Sequence, residues 1–274
     1  MVEVLAPAKV NLTLHVTGRR ADGYHLLDSL VMFADMGDRI RVREAEESTL
    51  TVTGPMARGV PVDERNLVLQ AAATMGATGH FTLDKHLPHA AGLGGGSADA
   101  AATLRALSVL SGRPLPEAPE TLGADVPVCL SGVSARMRGV GEELSPLPGL
   151  PRLHALLVNP NLPVLTAEVF KRLTKTDNPP MPEEIPQGLD RAGMVAWLAR
   201  QRNDLEAAAI AAEPVIAQVF QTLEVTPGCQ LTRMSGSGGT CFGLYMDAET
   251  AHAAQGRLRQ SQPGWWSKAV VLGG

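Results

Sequence analysis

A chain of 274 residues is longer than one compact core usually requires, so its length predicts two domains. Its 24 lysines and arginines are scattered among 28 aspartates and glutamates, and a net charge of −4 without a basic patch argues against nucleic-acid or anionic-membrane partners. Three distant cysteines argue against a disulfide framework or zinc site, and no apolar run approaches the roughly 20 residues that span a bilayer. The amino terminus also lacks the features of a signal peptide, so we expect a soluble cytoplasmic protein.

The first half of the chain predicts short strands and one capped helix. Alternation at residues 2–5 and 10–16 predicts two strands interrupted at Pro7. Further strands are predicted at residues 30–33, 39–43, 50–53 and 80–85, and the acidic run at residues 44–47 is interpreted as a solvated hairpin end. Asn66 is expected to cap a helix over residues 67–73.

From residue 98 onward, the chain predicts helices and single strands. Prolines 146, 148 and 151 mark a linker and place a domain boundary near residue 150, which divides the chain into residues 1–150 and 151–274. The segment at residues 176–190 is rich in proline and predicts an exposed loop, and Asn203 is expected to cap a helix. Strands are predicted at residues 134–141, 153–158, 230–234, 241–245 and 265–271, and helices at residues 98–108, 194–201, 204–212, 214–223 and 251–258. These patterns alone support an α+β fold.

A cluster of glycines stands between the strand at residues 80–85 and the helix at residues 98–108. Four glycines fall within positions 92–96, and Ser97 or Asp99 is expected to cap the helix that follows. Glycines let an anion approach backbone amides closely, and the first amides of a helix attract negative charge, so the stretch predicts a phosphate-binding loop. The alternative is a flexible hinge. Neither the Walker pattern nor the dinucleotide fingerprint fits the spacing.

Three further positions are candidates on their residue type and neighbours. Lys9 follows Pro7 and is either a solvated charge or a functional group; Tyr24 lies in a turn-rich loop and either packs locally or binds an aromatic ligand. Asp125 has apolar neighbours on both sides, which indicates a helix cap or a functional carboxylate because an unpaired buried charge is costly.

The glycine loop resembles a known pattern along its whole length. Residues 88–98 match the P-x-x-x-G-L-G-x-G-S-[SA] loop of the GHMP small-molecule kinases, and the motifs at residues 6–12 and 235–240 have the order and spacing of the same family. The G-Y-H triplet at residues 23–25 and the G-A-D-V-P segment at residues 123–127 are similar to the branch of that family that acts on a cytidine-bearing sugar alcohol.

The resemblance implies an architecture and a reaction. The fold would be a two-domain GHMP kinase, with an N-terminal ATP-binding domain like ribosomal protein S5, a C-terminal ferredoxin-like α/β domain and the active site in the cleft. The reaction would transfer the γ-phosphoryl group of ATP, with Mg²⁺, to the 2-hydroxyl of 4-diphosphocytidyl-2-C-methyl-D-erythritol, a step of the non-mevalonate isoprenoid pathway. Such an enzyme would be a monomer or a weak homodimer with a small-molecule substrate that carries a CDP group.

The resemblance also implies roles for individual residues. Lys9 and Asp125 would be catalytic, with Asp125 accepting or orienting the proton of the attacking hydroxyl and Lys9 stabilising its charge. Tyr24 and Phe170 would stack on the cytosine, and His25 would contact its polar edge; for Phe170 a place in the core is the alternative. Residues implied to bind ATP are Asn66, Lys85, Pro88, His89, Ala90, Ala91, Gly92, Leu93, Gly94, Gly95, Gly96, Ser97 and Ala98, and those implied to bind the acceptor are Asn11, Tyr24, His25, Thr166, Phe170, Ser237 and Gly238.

The chain departs from the family pattern at two places. Ala98 stands where a second serine is common, so the metal ligands are not assigned. His89, in a stretch that is usually rich in small residues, contacts either nucleotide or solvent. Two other functions stay open: a homoserine or mevalonate-pathway kinase, which would lack the cytidine-binding residues, and a nucleotide-binding regulator, which would have no use for Lys9 and Asp125 together.

Overall fold

The structure, a computed structural model, describes residues 1–273 and contains two compact units. The first unit consists of Met1–Lys9, Met36–His89 and Gly94–Gly132, and the second of Val10–Asp35, Ala90–Leu93 and the chain from Val133 onward. Both units combine helices with strands, so the α+β prediction is confirmed. The units alternate along the chain and share no single boundary, and a domain boundary near residue 150 therefore stays a prediction.

Most predicted helices and strands are present, within a few residues of their expected ends. In the described chain the strands are β1 (Val2–Asn11), β2 (His15–Arg19), β3 (His25–Glu44), β4 (Thr49–Thr53), β5 (Gly79–Asp84), β6 (Ala135–Gly139), β7 (Glu143–Pro146), β8 (Leu153–Asn159), β9 (Leu231–Met234), β10 (Cys241–Tyr245) and β11 (Trp266–Leu272). The α-helices are α1 (Leu67–Thr74), α2 (Gly95–Ser111), α3 (Val126–Ser131), α4 (Thr166–Lys171), α5 (Arg191–Leu198), α6 (Glu206–Ala212), α7 (Val215–Glu224) and α8 (Ala248–Ser261), and a 3₁₀ helix spans Pro119–Leu122.

In the first unit, β5 lies between β3 and β4. It pairs antiparallel with β3, from Arg39 opposite Asp84 onward, and parallel with β4. The hairpin predicted at residues 44–47 is therefore wrong, because β3 and β4 are neighbours in sequence and are separated by β5 in space. Phe81 and Leu83 alternate with polar residues along β5 and are both 1% exposed, which is the pattern of a strand with one buried face.

The predicted break at Pro7 and the predicted gap within β3 are also wrong. β1 continues through Pro7 and pairs with β3, and a proline is tolerated where its nitrogen lies on the unpaired side of a strand. β3 is one strand of 20 residues. At Gly37, in its middle, a Cβ atom would lie 1.9 Å from the Ala6 carbonyl oxygen, so the two strands approach here only because residue 37 is glycine.

The second unit is built on an antiparallel sheet covered by helices. β8 lies between β10 and β11, β9 follows β10, and β11 meets β3 at Leu272 opposite Ala34. Helix α7 packs on β9 and β10, and α8 packs on β8, β10 and β11. The core between them contains Val158, Val219, Leu223, Tyr245 and Leu258, all of which are at most 1% exposed.

The proline-rich segment at residues 176–190 is irregular, as predicted, but part of it is anchored and buried. The guanidinium group of Arg136 donates to both carboxylate oxygens of Asp28 at 2.7 Å and also to the carbonyl of Pro182 at 3.0 Å. Met181 is only 2% exposed, and its backbone nitrogen donates to Asp28 at 2.9 Å. The prediction of an exposed loop is therefore wrong for its centre, because a buried ion pair fixes the backbone there.

Candidate active site

The glycine loop leads directly into helix α2, which begins at Gly95 rather than Ala98. Gly94 occupies the N-cap position with φ 62°, a left-handed conformation that favours glycine. The predicted cap at Ser97 or Asp99 is wrong, since both residues lie inside the helix. Gly94 has no side chain that could accept a hydrogen bond from the first-turn amides, and uncapped amides at the start of a helix are the donors that anions bind.

Lys9 and Asp125 form an ion pair beside this glycine. The Lys9 ammonium nitrogen lies 2.9 Å from Asp125 Oδ2. Asp125 occupies the N-cap position of α3 but makes no capping hydrogen bond with its side chain, so its carboxylate is directed to Lys9 instead. A Cβ atom on Gly94 would lie 3.1 Å from Lys9 Cε and 3.5 Å from Asp125 Oδ2. The residue that precedes helix α2 therefore lies against the two residues predicted to be catalytic.

Arg105 connects the elements that carry this pair. From α2 it donates to the carbonyl of Cys129 in α3 at 2.7 Å and to the carbonyl of Leu5 in β1 at 3.2 Å. These bonds fix α3, which follows Asp125, and the strand that carries Lys9. The sequence contains no signal for this role, because an arginine in a helix is most often a solvated charge.

Two residues predicted to bind ATP have structural partners. Asn66 caps α1, as predicted: its side-chain oxygen accepts from the Val68 nitrogen at 2.9 Å, and its amide group donates to the Pro61 carbonyl. The Lys85 ammonium group lies 2.6 Å from carboxylate oxygens of both Asp38 and Asp99. Contact of either side chain with nucleotide stays a prediction.

The Asp38, Lys85 and Asp99 side chains are all buried, and the pKa values of Lys85 and Asp99 are shifted from their usual ranges. Burial alone opposes the charge on Lys85, but the two carboxylates outweigh it and hold the Lys85 pKa above its usual range. Burial, with a contribution from Asp38, raises the pKa of Asp99 to about 7. Sequence reasoning missed Asp38 and gave Asp99 only a capping role, since residues so far apart in the chain give no local signal of contact.

The first half of the glycine loop, Ala90–Leu93, belongs to the second unit and packs on the Ser-Gly-Ser-Gly turn. Ser235 Oγ donates to the Gly92 carbonyl at 2.8 Å, and the Thr240 nitrogen donates to the Ala91 carbonyl at 3.1 Å. A Cβ atom on Gly92 would lie 2.2 Å from the Ser235 carbonyl oxygen, so only glycine fits. The turn at residues 235–240 therefore lies against the first half of the glycine loop.

The residues predicted to bind ATP differ in exposure. His89 and Gly96 are exposed, and Gly92, Gly94, Gly95 and Ser97 are partly exposed. In contrast, the side chains of Pro88, Ala91, Leu93 and Ala98 are buried. Contact with a ligand is therefore open to the first group, through the side chains of His89 and Ser97 and through the backbone of the glycines, while the second group supports the loop from within.

Asn11, predicted to bind the acceptor, is held by two serines of the second unit. Its side-chain amide donates to Ser29 Oγ at 2.7 Å, and its backbone nitrogen donates to Ser235 Oγ at 3.0 Å. Ser29 Oγ in turn donates to the Thr13 carbonyl. Asn203 fixes the same region, because its amide group donates to the carbonyls of both Met234 and Gly236. Helix α6 begins at Glu206, two residues later than predicted, and the Asn203 side-chain oxygen caps the turn before it by accepting from the Leu205 nitrogen at 3.0 Å.

The predicted cytosine-binding residues contain a stacked pair of rings. His25 and Phe170 have centroids 4.7 Å apart and planes inclined by 24°. Burial and the nearby charge of Arg19 hold the His25 pKa below its usual range, so the imidazole is neutral at pH 7. Tyr24 is 66% exposed. Of the other residues predicted to bind the acceptor, Thr166 and Ser237 share a hydrogen bond of 2.8 Å between their hydroxyl groups. Gly238, the next residue after Ser237, has a positive φ of 96°.

Comparison with known proteins identifies the family. The model for the GHMP kinases N terminal domain matches residues 66–133, and the model for the GHMP kinases C terminal domain matches residues 191–263. A 4-diphosphocytidyl-2-C-methyl-D-erythritol kinase from Cereibacter sphaeroides is 56% identical over 278 residues, with 100% of both chains covered. The chain belongs to the 4-diphosphocytidyl-2-C-methyl-D-erythritol kinase family of GHMP kinases. The resemblance inferred from the motifs is confirmed.

Solved structures agree with membership in this family. A crystal structure of 4-(cytidine 5'-diphospho)-2C-methyl-D-erythritol kinase matches with a TM-score of 0.81 and 36% identity, with 100% of both chains covered. The homoserine kinase from Cytophaga hutchinsonii matches with a TM-score of 0.68 and 21% identity, covering 98% of this chain and 93% of its own. This second likeness shows the shared GHMP kinase fold alone.

Two features are absent from residues 1–273. No helix in this range combines the length and the apolar character needed to cross a bilayer. The same residues contain no group of three or more histidine, cysteine, aspartate or glutamate side chains placed to hold a metal ion.

Proposed function

We propose that this protein phosphorylates the 2-hydroxyl of 4-diphosphocytidyl-2-C-methyl-D-erythritol with ATP and releases ADP, a step in the synthesis of isoprenoid precursors. The observation that carries the proposal is the Lys9–Asp125 pair at 2.9 Å beside Gly94, in a chain whose full-length relative at 56% identity bears that enzyme's name. ATP is the co-substrate of GHMP kinases, and the exposed and partly exposed positions of the glycine loop would bind its phosphates.

In the proposed reaction a bond forms between the acceptor 2-oxygen and the γ-phosphorus, while the bond from that phosphorus to the β,γ-bridging oxygen breaks. Such a transfer depends mainly on alignment and on charge neutralisation. Asp125 would take the proton of the attacking hydroxyl, because its carboxylate is partly exposed and already oriented. Lys9 would offset the negative charge of Asp125 and of the transferred group, and the first amides of α2 would orient the phosphates.

The second unit would recognise the acceptor. A pyrimidine offers flat faces to aromatic rings, so Tyr24 and Phe170 would contact cytosine by stacking. Neutral His25 carries one ring donor and one ring acceptor, which suits hydrogen bonding to the base edge. Asn11, Thr166, Ser237 and Gly238 are the remaining proposed contacts with the acceptor, and the serine partners of Asn11 hold its amide in place.

Mg²⁺ would accompany ATP and neutralise part of the triphosphate charge. We assign the ion to the phosphate oxygens and name no protein ligand, because the described residues form no cluster of three or more candidate ligands and Ala98 has no hydroxyl. For the whole protein we propose a cytoplasmic monomer or weak homodimer that acts on a small molecule with a CDP group and binds neither nucleic acid nor membrane.

The proposal is tested by ADP release from purified protein supplied with ATP, Mg²⁺ and one acceptor at a time. We expect turnover with 4-diphosphocytidyl-2-C-methyl-D-erythritol and none with homoserine or mevalonate, and phosphorus NMR should show a new monoester at the 2-position. Asp125→Asn is the matched control for contaminating kinases, since it should lose the activity and keep the fold. Turnover with homoserine or mevalonate instead, or nucleotide binding without any turnover, would exclude the proposed acceptor.

A further inference from the structure

Three charged side chains from three different elements are buried together in the first unit. Asp38 lies on β3, Lys85 follows β5, and Asp99 lies in α2; their exposed fractions are 0%, 3% and 3%. The Lys85 nitrogen is 2.6 Å from Asp38 Oδ2 and 2.6 Å from Asp99 Oδ2. Lys85 therefore bridges two carboxylates that would otherwise repel each other.

This cluster is attached to the phosphate loop at both of its ends. Before the loop, Asp38 Oδ1 accepts hydrogen bonds from the backbone nitrogens of His86, at 2.5 Å, and Leu87, at 2.8 Å. After the loop, Asp99 belongs to α2 itself. A Cβ atom on Gly95, the first residue of α2, would lie 3.3 Å from Lys85 Nζ and 3.8 Å from Asp38 Oδ2. The cluster thus lies directly beneath the amides proposed to bind phosphate.

The cluster has one negative charge more than it can pair. Two ionised carboxylates and one ammonium group leave a net charge of −1, and an unpaired buried charge is costly. Asp99 Oδ1 is buried and has no hydrogen-bond partner among the described residues, which marks Asp99 as the carboxyl group that can carry a proton. Burial is the main cause that raises its pKa, and Asp38 adds to it. The charged or titratable groups that face Asp99 are Asp38, Lys85 and the Cys129 thiol of α3, whose pKa burial also raises, so that it stays neutral.

We propose that Asp38, Lys85 and Asp99 are positioning residues for the phosphate loop, and that the protonated, neutral form of this cluster is the form that binds ATP. The inference rests on the proposed ATP site. A negative charge beneath Gly95 would oppose both the amide dipoles of α2 and the phosphates. Because the two effects are linked, ATP binding favours protonation of Asp99, and protonation of Asp99 favours ATP binding.

The test is calorimetric titration of the intact protein with a non-hydrolysable ATP analogue and Mg²⁺, from about pH 6.5 to about pH 9. For the wild-type protein we expect the affinity to fall by about tenfold between about pH 7 and about pH 8.5, with net proton uptake on binding, measured in buffers of different ionisation enthalpy. Asp99→Asn keeps the size of the side chain and leaves one ammonium group with one carboxylate. Its affinity should exceed that of the wild type at high pH, and its extra proton uptake should be zero.

Two further variants test whether the cluster positions the phosphate loop or only stabilises the fold. Glu46→Gln, an exposed residue of the same unit, makes the same change of charge and should keep the wild-type pH profile. Asp38→Ala removes the acceptor for the loop backbone and should raise KM for ATP at least tenfold, while KM for the acceptor changes less than twofold.

Identical pH profiles and proton uptake for wild type and Asp99→Asn would overturn the inference while leaving the ATP site intact. A wild-type protein that does not bind the analogue at any pH would instead overturn the ATP site itself. The nucleotide also takes up and releases protons in this pH range, but it does so equally with every variant. A difference in pH profile between variants is therefore due to the protein.

Discussion

The two side chains of the Lys9–Asp125 ion pair differ in their exposure to solvent. The Lys9 side chain is 5% exposed and the Asp125 side chain 30%, so solvent screens the carboxylate far more than the ammonium group. If the two act as one unit, each single variant should remove most of what the pair contributes. We expect Asp125→Asn to lower kcat by about 10²–10⁴ and Lys9→Met by about 10²–10³, measured by ADP release.

A double variant shows whether Lys9 and Asp125 act as one catalytic unit or as two independent groups. Residues that act together have strongly non-additive effects on kcat, so Lys9→Met combined with Asp125→Asn should cost about as much as Asp125→Asn alone. Thermal unfolding of all three variants is the control for the fold. Losses that multiply in the double variant would mean that the ion pair at 2.9 Å has no shared catalytic role.

The stacked rings of His25 and Phe170 give a second prediction for single residues. Phe170→Ala should raise KM for the CDP-bearing acceptor by about 5- to 150-fold, because stacking on a base contributes about 1–3 kcal/mol, and KM for ATP should change less than twofold. Phe170→Tyr keeps the ring and should keep KM for the acceptor near its wild-type value. Equal rises in both KM values for Phe170→Ala would indicate that Phe170 has only a packing role in the core.

Among the elements, β3 depends on one residue for its close contact with β1. Gly37→Ala would place a Cβ atom 1.9 Å from the Ala6 carbonyl oxygen, so the backbones must separate, and we expect a loss of about 3 kcal/mol or more in the free energy of unfolding. At Gly256, within α8, an added Cβ atom would have no heavy atom within 4 Å, and Gly256→Ala should stabilise the protein by up to about 1 kcal/mol. Urea unfolding of both variants checks the contrast, and a Gly37→Ala protein as stable as the wild type would refute it.

Elements with a local pattern were predictable, and those set by distant contacts were not. The apolar spacing of α7 and the apolar run of β8 are visible in a few consecutive residues, and both predictions are confirmed. The insertion of β5 beside β3 and the passage of β1 through Pro7 depend on pairing between distant segments, which periodicity does not record. The start of α2 at Gly95 was missed because helix propensity disfavours glycine, whereas the loop geometry requires it.

The same distinction holds for the candidate site. Lys9, Asp125 and the glycine loop occur in short motifs, so the resemblance to the GHMP kinases pointed to them. Asp38 and Arg105 act through partners far away in sequence, and no motif of the chain contains them. For such residues the chemistry becomes visible only when the fold brings the partners to hydrogen-bond distance.

At the scale of the whole molecule, the buried cluster links the free energy of unfolding to pH. Asp99 has a pKa of about 7 in the folded protein and near 3.8 in the unfolded chain, so folding is accompanied by proton uptake between about pH 4 and about pH 7. The contribution of Asp99 to the free energy of unfolding is most favourable below about pH 4, where Asp99 is protonated in both the folded and the unfolded chain. It falls as pH rises from about 4 to about 7 and does not change further above that range. A shift of one pKa unit corresponds to about 1.4 kcal/mol, so ionised Asp99 lowers the free energy of unfolding above pH 7 by at most about 4 kcal/mol.

Asp99→Asn should remove this penalty and leave the rest of the pH dependence unchanged. The difference in free energy of unfolding between variant and wild type should therefore be small at about pH 4.5 and grow to a few kcal/mol in favour of the variant at about pH 8, measured by urea unfolding at each pH. Glu46→Gln, which removes an exposed charge, should follow the wild-type curve within about 0.5 kcal/mol. Parallel curves for wild type and Asp99→Asn over this range would mean that Asp99 does not take up a proton on folding. A difference that grows with pH would show that Asp99 takes up a proton on folding, and this is the proton that we propose also favours ATP binding.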